Sequence, residues 1–250
     1  MKGNAQIEII PKSLYFEVKS QPFAQSQNNQ VFYFSVDTNP EFQYFPFYND
    51  FGPPSLLQIH KFYNLLLTLL STNSNQKIIF YSSNNPQLLS NSIIYIASFR
   101  MIYLKLDPKQ TYIPFIPLES LTIPYCDASG KKSMYNLSIF SCLKSIYKSI
   151  NLGWYDPSTF SQEEWEKYDQ IKNGDMNWII PHKILAFATP FNKKEFSNNY
   201  IAVTPNDIIP TIKKFGITHI VRLCHIFYDQ QVFLESGIKH TELYFMDGSI

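Results

Sequence analysis

Charge is scarce in this sequence. Charged residues make up 16% of its 250 residues, against about 25% in typical soluble proteins. The formal net charge is +1, from 21 basic and 20 acidic residues, so the chain as a whole lacks the positive field that attracts a polyanion. We therefore expect no nucleic-acid partner, and any electrostatic recognition must be local.

Cysteines and long apolar runs are also few. The three cysteines, Cys126, Cys142 and Cys224, are too widely spaced for a disulfide framework or a zinc motif, as is typical of a protein from a reducing compartment. No apolar run approaches the roughly 18 residues of a membrane-spanning helix, and the first residues, MKGNAQIEIIPKS, contain no signal-peptide core. The sequence predicts an intracellular protein with no membrane partner.

The common self-sufficient active-site motifs are missing too. The sequence contains no GxxxxGK[ST] phosphate loop, no GxGxxG, no HExxH and no GxSxG. The five histidines are scattered, and Cys224-His225 at the end of a strand pattern is interpreted as a structural pair. We therefore expect neither a cofactor nor a metal ion.

Aromatic residues, in contrast, are abundant. Phe, Tyr and Trp make up 16% of the chain, and hydrophobic residues make up 45%, which favours a packed core over intrinsic disorder. Because few basic residues lie between the rings, stacking on nucleic-acid bases is not indicated. Most of the prominent rings are expected in the core or at a domain interface: Phe45, Phe47, Tyr48, Phe51, Trp154, Tyr155, Phe160, Trp165, Tyr168 and Trp178.

The first part of the chain alternates between strand and helix patterns. Runs rich in β-branched and aromatic residues predict strands at 13–18, 31–36 and 77–81. Apolar residues at helical spacing predict helices that begin at Ser55, Asn85, Asp107 and Ser133, the last reaching Ile150. The Pro-rich stretch 112–130 is predicted to be irregular.

An acidic stretch at 156–175 marks the predicted connection between two domains. Ser161 and Glu164 have the spacing of a capping box and predict a short helix over 161–171. Beyond it, strands at 184–188, 217–223 and 240–245 alternate with helices at 204–215 and 229–236, which is typical of an α/β sheet flanked by helices. So few elements are expected to form only part of a sheet.

Seven short segments occur in a characteristic order along the chain: LYF (Leu14–Phe16), YFSVD (Tyr33–Asp37), FYNDFGP (Phe47–Pro53), DAS (Asp127–Ser129), NGDMNWIIP (Asn173–Pro181), IVRL (Ile220–Leu223) and DGS (Asp247–Ser249). In this order and approximate spacing they resemble the cell-division-cycle-fourteen family of dual-specificity protein phosphatases, which act at mitotic exit. The resemblance runs from about Lys12 to Ser249, and the FYxDFGP and NGDxNWI segments are its most specific parts.

The resemblance implies an α/β protein with two tandem dual-specificity-phosphatase-like domains joined by a linker helix. The expected parts are a non-catalytic specificity domain at 1–155, a linker region at 156–177 and the start of a catalytic domain at 178–250, which is incomplete. The implied substrates are phosphoproteins carrying phospho-Ser or phospho-Thr before proline, with a basic residue downstream, and phospho-Tyr proteins.

The resemblance also implies one catalytic residue. Asp247 matches the family's general acid, which protonates the leaving oxygen after a cysteine thiolate attacks phosphorus. On the residues alone, Asp in Asp-Gly-Ser is simply a turn former. The family's HCxxGxxR nucleophile loop does not occur in this sequence, so we expect the chain as written to lack phosphatase activity.

Three acidic residues are implied to bind substrate. Glu166, Asp169 and Asp175 match an acidic groove for the substrate's basic residue; carboxylates three residues apart share a helix face, and a third just beyond the helix can converge with them. The alternative is a solvated acidic face. Asp169 is shorter than the family's usual Glu, and Lys172 is basic where acid is common, so we expect a shallower basic preference. Whether Glu163 or Asp127 joins the groove stays open.

Three hypotheses about function remain at this point. The first is a mitotic-exit phosphatase represented without its catalytic loop. The second is a pseudophosphatase that binds phospho-Ser-Pro or basic segments as an adaptor, and the third is a remnant without independent function. Cytoplasm, nucleus and microtubule-organising structures are all compatible with the family, and the sequence does not indicate an oligomeric state.

Overall fold

The computed structural model of the chain describes residues 6–19, 30–128, 135–194, 196–197 and 200–246. The chain forms two compact units, Met1–Pro157 and Ser158–Ile250. Both units combine helices with strands, so the expected α/β class is confirmed.

The sheet of the first unit contains four strands in the order β1-β2-β4-β3. Strand β1 is antiparallel to β2, whereas β2 and β3 both run parallel to β4. The central strand β4 contains the apolar run Ile78–Tyr81, as expected of a parallel strand covered on both faces. The bounds of the strands are β1 Ile7–Ile10, β2 Leu14–Lys19, β3 Val31–Phe34 and β4 Lys77–Ser83.

In the described part of the first unit, four α-helices accompany this sheet, and their starts follow local capping chemistry. Ser55 and Gln58 form a reciprocal capping box at the start of α1, and the Asn85 side chain caps α2 immediately before Pro86. Helix α2 is buried around most of its circumference and forms the centre of the unit. The helices are α1 Leu56–Thr72, α2 Pro86–Leu104, α3 Pro108–Tyr112 and α4 Ile139–Asn151, with 3-10 helices at Pro40–Phe42 and Ile113–Leu121.

Aromatic rings form much of the first core. The Phe62 ring lies 5.0 Å from both the Phe80 and the Tyr95 rings, measured between centroids. Such pairs add about 0.5–1.5 kcal/mol each beyond area burial. Tyr95 also donates its hydroxyl to the Phe42 carbonyl at 3.0 Å, so the buried phenol is satisfied.

Two predictions for the stretch before α4 were wrong. The helix begins at Ile139, not at Ser133, because the Ser138 hydroxyl accepts the Ser141 amide as an N-cap. Leu137, just before that cap, exchanges both backbone hydrogen bonds with Tyr125, at 2.9 and 3.0 Å. The stretch predicted to be irregular contains the 3-10 helix Ile113–Leu121.

The second unit consists of short elements around a smaller core. A hairpin of β5 and β6 and a parallel pair of β9 and β10 lie with α6 and α7 around buried Ile208, Ile212, Ile220 and Phe233. The bounds are α5 Gln162–Tyr168, a 3-10 helix Ile171–Asn173, β5 Met176–Ile180, β6 Ile184–Phe187, β7 Phe196–Ser197, β8 Tyr200–Ile201, α6 Pro205–Lys214, β9 His219–Arg222, α7 Gln231–Glu235 and β10 Lys239–Glu242.

A groove lies between the β5–β6 hairpin and the β9–β10 pair. It has a volume of about 500 Å³ and is lined by the residues of β6 and β9 and by apolar neighbours such as Ile179 and Ile217. Among the strands that the structure describes, β6 pairs with β5 alone and β9 with β10 alone. Each therefore presents one edge of backbone N–H and C=O groups without a strand partner.

Candidate functional site

Helix α5 carries the first acidic residues of the predicted groove. The Ser161 hydroxyl accepts the Glu164 amide at 3.1 Å and starts the helix, as the capping pattern predicts. The helix ends at Tyr168, earlier than predicted, and Asp169 follows as its C-cap, donating its amide to the Trp165 carbonyl at 2.9 Å. A separate 3-10 helix then leads into the Asn-Gly-Asp turn.

The turn reverses the chain through two residues with left-handed backbone, Gly174 (φ 103°) and Asp175 (φ 46°). A Cβ atom at Gly174 would collide with the Met176 side chain and lie 3.1 Å from Ile208 Cγ2. Asn173 closes the turn by donating its side-chain amide to the Lys167 carbonyl at 2.5 Å. Position 174 therefore requires glycine, both because of its left-handed backbone conformation and because neighbouring side chains leave no room for a Cβ atom.

The turn brings Asp175 back toward the end of α5. Burial raises the pKa of Asp175 above its ordinary value, and the negative charge of Asp169 raises it further. Asn177 donates its side-chain amide to Asp169 Oδ1 at 3.0 Å and so orients that carboxylate. Among the described residues, no lysine or arginine lies within 4.0 Å of either carboxylate.

Glu166 lies on α5, three residues before Asp169, and is half-buried. It accepts the side-chain amide of Gln162 at 3.0 Å. The structure thus places Asp175 in the turn that follows Asp169, with Glu166 on the helix that Asp169 caps. Each carboxylate has several hydrogen-bond acceptor positions, so this arrangement has the chemistry needed to bind a cationic group.

The remaining sequence-predicted residues fall elsewhere. Asp247 lies outside the described residues. Glu163 is exposed in the first turn of α5, and Asp127 is exposed in the first unit. The exposed Lys172 lies in the 3-10 helix next to the turn.

Cys224 and its neighbours have structural partners. The Cys224 sulfur lies 3.2 Å from Thr189 Oγ1. Nearby, the buried Arg222 side chain donates to both carboxylate oxygens of Glu242, at 2.9 and 2.5 Å, and to the Tyr228 carbonyl at 2.7 Å. Sequence reasoning missed this role of Arg222 and the orienting role of Asn177, although both belong to segments that carry the family resemblance.

Two kinds of feature are absent from the described residues. No group of three or more His, Cys, Asp or Glu side chains in it is arranged to hold a metal ion. None of its helices combines the length and apolarity needed to cross a membrane.

The expected rings divide between core and surface. Phe51, Tyr155 and Tyr168 are buried, as expected for packing residues. The prediction was wrong for Phe45, Phe47 and Tyr48, which are largely exposed. They belong to the stretch before α1 and lie in neither a helix nor a strand.

Comparison with known proteins identifies the chain. Residues 8–149 match the family described as "Dual specificity protein phosphatase, N-terminal half". Over 246 residues the chain is 35% identical to Dual specificity protein phosphatase CDC14A of Mus musculus, covering 97% of this chain and 40% of that protein. The chain belongs to the CDC14 family of dual-specificity protein phosphatases.

Two other relatives point to the same family. The chain is 34% identical over 245 residues to Dual specificity protein phosphatase CDC14A of Homo sapiens, covering 97% of this chain and 41% of the relative. It is 30% identical over 256 residues to Tyrosine-protein phosphatase cdc-14 of Caenorhabditis elegans, covering 98% and 36%. The chain therefore spans about two fifths of the length of these relatives.

Proposed function

We propose that the chain is the substrate-selecting part of a CDC14-type phosphatase acting on proteins phosphorylated on Ser or Thr before proline, or on Tyr. The observation that carries this proposal is the turn that returns Asp175 toward Asp169 at the end of α5, the helix that also carries Glu166. These three residues, which we call the acidic cluster, would bind a basic residue downstream of the phosphorylated position. Lys172 and the short Asp169 side chain would make that preference weaker than a glutamate-rich cluster gives.

The proposed domain organisation has three parts: a specificity domain at 1–155, a linker at 156–177 and the start of a catalytic domain from 178. The chain's two compact units support a division near this linker. The groove between β6 and β9 supports the start of a second sheet from residue 178. The facing edges of β6 and β9 both carry backbone groups without a strand partner, and a further strand between them would satisfy these groups.

The proposed chemistry needs a nucleophile that this sequence does not contain. In the family mechanism a cysteine thiolate attacks phosphorus, an arginine fork holds the phosphoryl oxygens, and Asp247 protonates the leaving oxygen. No step of this mechanism calls for a metal or a cofactor. Hydrolysis would therefore require an HCxxGxxR segment in addition to residues 1–250.

An adaptor is the second candidate function. The acidic cluster is formed within residues 166–175, so binding of a basic segment does not depend on the nucleophile loop. In this alternative the chain binds phospho-Ser-Pro or basic segments without hydrolysing them. An intracellular location in the cytoplasm, the nucleus or microtubule-organising structures is proposed for either function.

The two functions are separated by joining residues 1–250 to the remaining part of the mouse relative. If the first function is correct, this chimera should hydrolyse a phospho-Ser-Pro peptide. Changing both Glu166→Lys and Asp169→Lys should then lower kcat/KM for a peptide with a downstream lysine, and should leave kcat/KM for an alanine-containing peptide unchanged. Asp247→Asn should slow alkyl phosphates far more than phosphates with good leaving groups. A folded but inactive chimera that still binds the basic peptide would favour the adaptor.

A further inference from the structure

A cluster of four side chains lies where the parallel strands β9 and β10 end. It consists of Arg222 on β9, His240 and Glu242 on β10, and Tyr228 in the segment before α7. The Arg222 and His240 side chains are only 3% and 0% exposed, and buried polar groups are nearly always paired. None of the four belongs to the acidic cluster, so the proposed recognition of a basic residue leaves their role unexplained.

Arg222 connects the other members through three hydrogen bonds. Its Nε and Nη2 atoms donate to the two carboxylate oxygens of Glu242, at 2.9 and 2.5 Å, and Nη1 donates to the Tyr228 carbonyl at 2.7 Å. The guanidinium carbon also lies 4.4 Å from the centroid of the Tyr228 ring. A bidentate pair fixes the relative orientation of its two groups, so Glu242 is held in one geometry although it is partly exposed.

His240 supports the same arrangement as a neutral group. Its Nε2 atom lies 2.8 Å from the Tyr228 hydroxyl, and its Nδ1 atom lies 3.4 Å from Glu242 Oε1. Burial lowers the pKa of His240, so the ring is uncharged at neutral pH. Arg222 is therefore the counterion of Glu242, and loss of the Arg222–Glu242 ion pair should disturb the whole cluster.

The backbone beside this ion pair leads to the proposed general acid. Beyond β10, the Leu243 amide donates to the Arg222 carbonyl at 2.9 Å, and the Phe245 amide donates to the Leu223 carbonyl at 3.2 Å. Phe245 is two residues before Asp247 in the sequence, and two residues of chain extend at most about 7 Å. Fixing Phe245 therefore restricts the positions that residue 247 can reach.

Packing contributes little to holding this segment. Residues 243–246 are between 51% and 64% exposed. The Tyr244 hydroxyl lies 3.1 Å from His225 Nε2, but His225 is itself exposed. We therefore attribute the position of the segment to its two backbone hydrogen bonds and to the ion pair at their base.

We propose that Arg222 and Glu242 are positioning residues for the general acid: their ion pair holds the end of β10, so that the chain beyond Phe245 delivers Asp247 to the leaving oxygen. This inference rests on the proposed function, which assigns Asp247 as the acid. Proton transfer needs the acid within about 2.6–3.2 Å of the oxygen it protonates. A small displacement of the segment should therefore slow the step that Asp247 serves and leave other steps unchanged.

The first test follows amide hydrogen exchange in the whole 250-residue chain and needs no catalytic activity. Glu242→Gln should raise the exchange rates of the Leu243 and Phe245 amides at least about fivefold, because their local opening becomes easier. Amides of the β5–β6 hairpin should keep their rates. Ile209→Val, at a buried position of α6, is the control: it lowers stability without touching the pair and should not single out these two amides. Unchanged exchange at both amides in Glu242→Gln would overturn the inference.

The second test measures catalysis in the chimera of residues 1–250 with the remaining part of the mouse relative. Glu242→Gln should lower kcat at least about tenfold for an alkyl phosphate, whose leaving group needs protonation, and less than about twofold for p-nitrophenyl phosphate, whose leaving group does not. Glu242→Asp keeps the charge and should restore most of the loss. When Asp247→Asn has already removed the acid, Glu242→Gln should cause no further loss.

The two substrates separate positioning from general stability. A purely structural role predicts equal losses for both substrates, as we expect for Ile209→Val. Equal losses in Glu242→Gln, or a further tenfold loss when it is added to Asp247→Asn, would overturn the inference. A folded chimera that hydrolyses neither substrate would instead overturn the proposed phosphatase function, and the exchange rates would still decide whether the ion pair holds the segment.

Discussion

The Asp175 amide donates to the carbonyl of Gln170, the residue after Asp169, at 3.2 Å, so the turn returns Asp175 toward Asp169. Burial raises the pKa of Asp175, and the charge of Asp169 raises it further. Two like charges at one place cost stability in the free protein, and a bound cation would offset that cost. In the proposed function, a basic ligand bound to the acidic cluster would relieve this unfavourable interaction.

Asp175→Asn tests this interaction through its pH dependence. A raised pKa in the folded state means that wild-type stability falls as pH rises from the ordinary aspartate range through the pKa of Asp175. The variant lacks this group, and asparagine tolerates left-handed backbone. We therefore expect Asp175→Asn to have the higher Tm at neutral pH and the difference to shrink under acidic conditions, measured by thermal unfolding across pH. A lower Tm at neutral pH would contradict the account.

Gly174→Ala should destabilise the second unit and disturb the cluster. The new Cβ would meet the Met176 and Ile208 side chains at a φ of 103°, so a loss of about 2 kcal/mol or more is expected. Gly216→Ala is the matched control, because Gly216 also has a positive φ, 71°, but open space around its Cβ position. The control should lose only about 1 kcal/mol. Equal losses in urea unfolding would argue against a steric role for Gly174.

Glu242→Gln should weaken the second unit as well. The Arg222 side chain is 3% exposed and donates two hydrogen bonds to Glu242, so removing the charge leaves a buried guanidinium without its counterion. Because Glu242 is itself partly exposed, we expect a moderate loss of about 1–3 kcal/mol. Glu235→Gln, at an exposed helix position, should change the unfolding free energy by less than about 0.5 kcal/mol. Indistinguishable urea midpoints for the two variants would refute the role of the pair.

The sequence predicted most elements whose signals are local. Ser55, Asn85 and Ser161 cap helices as expected, because a capping residue and the helix it starts are neighbours in the chain. The start of α4 was predicted too early, because Leu137 pairs with Tyr125, and a pairing between distant residues overrides helical periodicity.

The candidate site shows the same limit. Helical spacing places Glu166 and Asp169 near each other, but the return of Asp175 depends on the left-handed backbone at Gly174 and on the bond from Asn173 to Lys167. The groove between β6 and β9 could not be predicted either, since its residues come from separate segments that only the fold brings together.

The most direct test of the central claim is the affinity of the chain for a phospho-Ser-Pro peptide with a downstream lysine, measured by fluorescence anisotropy at low salt. Asp169→Asn with Asp175→Asn should weaken binding by about five- to thirtyfold, equivalent to about 1–2 kcal/mol. The control is Glu164→Gln, at an exposed acidic residue of the same helix, which should leave the affinity unchanged. For a peptide with alanine in place of the downstream lysine, none of these variants should change the affinity. An affinity that is the same for wild type and for the doubly neutralised variant would contradict the claim that the acidic cluster recognises the basic residue.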